Sequence, residues 1–131
     1  MKKAGIRPET GLFFCQGDEE LYHSLLREYA QNASGKASDM ERFYKEQNWK
    51  DYAILVHALK STSRMIGAEQ LSGLAAALED AANRNDVVTI TGSHADLMRQ
   101  YDAAAGAVRS SLKEEEGESS PEEDILEFFP E

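Results

Sequence analysis

The sequence holds a single cysteine, Cys15, in 131 residues. No internal disulfide can form, and no metal centre can be built on paired thiolates. A reducing compartment, the cytoplasm, is the expectation. Three prolines and 8% aromatic residues, set against many alanines, favour packed helices over sheet. No apolar run approaches the ~20 residues of a membrane-spanning helix, and no signal-peptide pattern opens the chain, so no membrane partner is expected. No basic cluster of the size that nucleic acid requires is present.

What is there is unevenly distributed. The formal charge is −10, but residues 113–131 hold nine acids and one lysine, while the other 112 residues hold fifteen acids and thirteen bases. The body is nearly neutral and the tail is acidic. Length and composition fit one core. The expected organisation is a lead-in over 1–17, a helical domain over 18–112 and an acidic, disordered tail over 113–131.

Helical periodicity runs through the middle. Leu12, Phe13 and Phe14 are expected to anchor the lead-in to the body. Asp18 reads as an N-cap, with Tyr22, Leu25, Leu26 and Tyr29 on one face. "ASGKAS" over 33–38 reads as a turn, and Ser38 with Glu41 as a capping box opening a second helix. Asn48 reads as the cap of a third helix ending near Gly67. A fourth carries Leu71, Leu74 and Leu78. Asp86 caps a fifth, whose stripe of Ile90, His94, Leu97, Tyr101, Ala104, Val108 and Leu112 continues through Gly92. Short connections between amphipathic helices predict an all-α, antiparallel up-and-down four-helix bundle. The terminal "ILEFF" reads as a mobile end, a docking motif or a segment folded back on the body.

The stretch "VHALKSTSRMIGA", residues 56–68, carries the chemistry. On a helical wheel Tyr52, Val56, Leu59, Ser63 and Ile66 face the core and His57 points out. Lys50, Ala53, Lys60, Ser61 and Arg64 lie within about 60° of it, with Ile54 and Met65 as an apolar edge. Like charge disfavours protonation of such a ring, and neutral imidazole is the nucleophilic form. The same cations favour a dianion once it is attached. The arrangement suits a histidine that accepts and releases a phosphoryl group, although most exposed helical histidines are idle surface residues. The other histidines read as structural: His23 at the surface beside Glu19, Glu20 and Arg27, and His94 as a hydrogen-bonded boundary residue. Trp49 reads as a core plug. No histidine pair has metal-ligand spacing, so no metal site is expected.

With His57, Leu59, Lys60, Gly67 and Ala68 at these spacings, the stretch resembles the signature of the histidine-phosphotransfer (HPt) domain family of bacterial multistep phosphorelays. "GDEELYHSLLREY", "LSGLAAALEDAA" and "SHADLMRQY" resemble that family's other helices, so the resemblance spans about residues 9–112. It implies a phosphoryl carrier without ATPase or kinase activity of its own. His57 would be the acceptor, with Lys60, Ser61 and Arg64 stabilising the phosphoryl group. Lys50, Ala53, Ile54 and Met65 would dock a response-regulator receiver domain. No cofactor is implied for this chain, since the assisting Mg²⁺ belongs to the receiver. The resemblance implies a monomer, free-standing or the last domain of a hybrid sensor kinase. The family often has glycine four and seven positions after the histidine, where this chain has Ser61 and Arg64, and Arg64 can select partners with an acidic rim. The alternative is a helical protein-interaction module with an idle histidine.

Overall fold

The computed structural model describes residues 4–119, with side chains to residue 113. Five helices follow one another: α1 (Pro8–Phe14), α2 (Glu19–Glu46), α3 (Trp49–Ile66), α4 (Glu69–Asn83) and α5 (Val87–Ser119). Among the described residues the only extended pairing is an isolated antiparallel bridge between Ile6 and Ala68.

Local chemistry sets most helix ends. Asp18 accepts from the Leu21 N–H at 3.1 Å and opens α2. Asn48 and Asp51 cap α3 reciprocally: Asn48 Oδ1 accepts from the Asp51 N–H, and its amide donates to the Asp51 carboxylate. Gly67 closes α3 with φ of 95°, a conformation that favours glycine. Asp86 opens α5 by accepting from both the N–H and the hydroxyl of Thr89.

The four long helices pack in a ring: α2 against α3 and α5, α4 against α3 and α5. The core between them is formed by Leu26, Met40, Tyr52, Val56, Leu59, Leu78, Ile90, Leu97 and Val108, all essentially without solvent exposure. No described helix is long and apolar enough to cross a membrane.

Three expectations are corrected. "ASGKAS" is not a turn; α2 runs unbroken through it, because Leu26, Tyr29, Ala33 and Met40 stay on one buried stripe. Burying that stripe outweighs the ~1 kcal/mol that Gly35 costs in a helix. The Ser38–Glu41 capping box is therefore unused. The lead-in is not irregular: it contains α1, and Ile6, Gly11 and Cys15 are its buried anchors; Leu12 packs against the core as expected, while Phe13 and Phe14 are exposed. The helix α5 continues over 113–119. The remainder of the tail, with "ILEFF", lies outside the described residues.

Candidate functional site

The wheel's core face is observed: Tyr52, Val56, Leu59, Ser63 and Ile66 are buried. His57 stands on the open face with 57% of its side chain accessible. Ser61, Arg64 and Lys50 are exposed and Lys60 half-buried around it, with Ile54 and Met65 exposed at the edges. Ala53 differs. It is 7% exposed, because α3 is covered by α4 on one side and α2 on the other and the buried arc is wider than the apolar stripe alone. It cannot offer a docking surface.

The residue missing from the sequence reading is Glu79. Its Oε2 lies 2.7 Å from His57 Nδ1, and its Oε1 lies 2.8 Å from Lys60 Nζ. The surroundings of the ring are therefore not purely cationic, and Lys60 is paired rather than free in water. The register follows from α4. Its small residues, Ala75 and Ala82 among them, let it approach α3 closely, and Ser72 Oγ donates to the Lys60 carbonyl at 2.8 Å. Side chains lean toward their own helix N-terminus. Glu79, two turns after Ser72, thus leans back toward Lys60 and His57.

The carboxyl of Glu79 is held below the usual carboxylate range, first by the hydrogen bond from Lys60 and next by the bond and charge of His57, against the opposing effect of burial. An ionised carboxylate only accepts. His57 Nδ1 is therefore a protonated nitrogen, and when the ring is neutral Nε2 carries the lone pair. Among the described residues the ring's hydrogen bond is at Nδ1 alone. The result is an exposed imidazole of fixed orientation and tautomer, with its nucleophilic nitrogen open.

Arg64 turns from the ring and lays its guanidinium over Phe14, 5.3 Å from the centroid. It supplies charge to this face rather than a contact to His57. Glu79 had a faint sequence signal. It follows Ser72 and Ala75 at helical spacing, and both of those are buried; an acid in line with them must find a partner.

His94 and Glu41 form a further histidine–carboxylate pair. The histidine is 4% exposed, with Nδ1 2.8 Å from the Tyr52 hydroxyl, Nε2 2.8 Å from Glu41 Oε1, and its ring stacked on Tyr44. This is the hydrogen-bonded histidine anticipated from the stripe. Trp49 packs partly buried against Tyr44 and Tyr52.

The family model for the Hpt domain matches residues 24–122, most of the chain. The chain belongs to the Hpt domain family. No curated protein and no solved structure matches it significantly. The Hpt family's work is histidine phosphotransfer in phosphorelays, and the all-helical fold is consistent with it. The match begins within α2, so α1 lies outside it.

Proposed function

We propose that this Hpt domain carries a phosphoryl group on His57 Nε2, taking it from the aspartyl phosphate of one receiver domain and passing it to another. The four long helices then act as an antiparallel up-and-down four-helix bundle whose flank presents the ring. The observation that carries the reading is the exposed imidazole held at Nδ1 by Glu79.

In the forward step the Nε2 lone pair attacks phosphorus. An N–P bond forms as the P–O bond to the aspartyl acyl group breaks, and the aspartate carboxylate leaves with the bonding pair. Nδ1 keeps its proton against Glu79, so the positive charge developing on the ring is balanced. Lys60 has two N–H groups beyond the one at Glu79 to offer a phosphoryl oxygen, and Ser61 adds a hydroxyl. Arg64 and Lys50 contribute field. The chemistry is positioning and charge stabilisation of a loose transition state. Glu79 also lies near the dianion it helps to form, and that repulsion keeps the phosphohistidine ready to give up its group. Onward transfer reverses each bond change on the second receiver.

The Mg²⁺ that assists transfer sits on the receiver, and this chain contributes neither ATPase nor kinase activity. It works as a monomer in the cytoplasm, downstream of a hybrid sensor kinase or of another receiver. The test is incubation with a phosphorylated receiver domain. Acid-labile label is expected on the wild type and none on His57→Gln. Equal labelling of both proteins defeats the assignment.

A further inference from the structure

The surface beside His57 does not end with α3. Phe13 is 77% exposed and Phe14 43%, the two rings meeting edge to face at 5.9 Å. Together with Lys60 and Arg64 they border one shallow depression. His57 pairs with Glu79 and Glu79 with Lys60; Arg64, one helical turn beyond Lys60, lies over Phe14.

The backbone that carries the aromatic pair is tied to the end of α3. The Arg7 N–H donates to the Gly67 carbonyl at 2.9 Å, and the Tyr22 hydroxyl donates to the Ile66 carbonyl at 2.8 Å. Gly11 packs so closely that a Cβ there would lie 2.2 Å from the Tyr22 ring and 2.9 Å from the Ile66 backbone. A Cβ on Gly67 would lie 2.1 Å from the Arg7 carbonyl oxygen. Two glycines thus lock α1 onto the end of the helix that bears His57. The buried side of α1 is closed by Gly11 and Leu12, with Cys15 just beyond, while its two largest apolar side chains, Phe13 and Phe14, stay exposed.

We propose that α1 is a second docking lobe for the receiver domain. Phe13 and Phe14 would meet an apolar patch on the receiver, and Arg64 would meet acidic residues at its rim. The proposal rests on the phosphorelay reading above. A protein partner that reaches His57 must cover more than the imidazole. A standard interface of about 800 Å² per partner is a disc of about 16 Å radius. Arg64 is two turns from His57, about 10 Å along α3, so the depression falls inside that footprint. The charge fits as well, since a receiver offers carboxylates around its phosphorylated aspartate and this face offers Lys60, Arg64 and Lys50. Because α1 precedes the family-matched span, its contribution is to partner choice rather than to the transfer chemistry.

The experiment uses the full chain and the receiver domain that labels it fastest among a purified panel, with Phe13→Ala/Phe14→Ala against wild type. The receiver concentration for half-maximal transfer is expected to rise by at least about tenfold, the effect of losing a buried aromatic anchor. The saturating rate should stay within about twofold, and His57 labelling by phosphoramidate should not change. Phe13→Leu/Phe14→Leu should recover most of the loss. Unchanged half-saturation overturns the proposal, as does an equal fall in phosphoramidate labelling, which would mean that α1 shapes the ring instead of binding the partner. Faster transfer both in this variant and on deleting residues 120–131 would assign the patch to the chain's own acidic tail, and also overturns it. If no receiver labels the wild type, the phosphorelay reading fails, a result distinct from any of these.

Discussion

His57 and His94 are each held by a glutamate from another helix, Glu79 and Glu41. The pairs are alike in distance and opposite in consequence. His94 has both nitrogens engaged, its ring stacked and its side chain 5% accessible. His57 has one nitrogen engaged and 57% of its side chain in water. The comparison shows that a histidine–carboxylate contact does not itself specify chemistry. The second nitrogen does: engaged, it yields a cross-link between α3, α2 and α5; open, it leaves the atom on which the proposed phosphotransfer depends.

Exchanging the rings' nitrogens for carbon or amide should separate the two roles most sharply. His57→Gln is expected to abolish phosphotransfer while leaving the urea midpoint unchanged. His94→Phe keeps the ring volume but strands the buried Tyr52 hydroxyl, and should cost about 1–3 kcal/mol in urea unfolding with transfer close to wild type. If His94→Phe lost transfer as completely as His57→Gln in a properly folded protein, the division of roles would be broken.

Next in size is the exchange of the carboxylates. Glu79→Gln should slow transfer about 10- to 100-fold, the size of loss seen when the carboxylate that orients a metal-bound histidine is removed. Glu41→Gln should act on stability and leave the transfer rate alone. Rapid-quench transfer assays and denaturant titrations of both variants test this together.

The smallest effect is on pH. A carboxyl held below its usual range contributes while ionised, so its contribution is present above the ordinary carboxylate range and lost as pH falls through its lowered value. The Glu79 contacts with Lys60 and His57 should therefore persist well below neutrality and fail on the acid side. In pH-dependent unfolding, wild type should lose stability there and Glu79→Gln should be flatter.

The two histidine sites were unequally legible in the sequence. His57 and His94 were placed correctly because each lies on a helix whose periodicity is local. Asp18, Asn48, Gly67 and Asp86 were legible for the same reason: a cap bonds within a few residues of itself. Ser38 and Glu41 misled because a capping-box pattern also occurs inside helices, and only the burial of Met40 shows that the helix continues. Glu79 was not identified because its partners are on another helix and its role depends on how closely α4 approaches α3. Ala53 and the Phe13–Phe14 pair failed alike. Side-chain type indicates which residues tend to be buried, but neighbouring elements decide which are. The close seating of Gly11 on Tyr22 and Ile66 leaves two phenylalanines outside.

The central claim is that Glu79 holds the proton on His57 Nδ1 and leaves Nε2 to take the phosphoryl group. Nitrogen-15 NMR of histidine-labelled protein reads it directly, before and after phosphorylation. The account predicts the Nδ1–H tautomer for His57 in the free protein, and phosphorus coupling to Nε2 in the phosphorylated one. An Nε2–H tautomer, or phosphorus bonded at Nδ1, would contradict it.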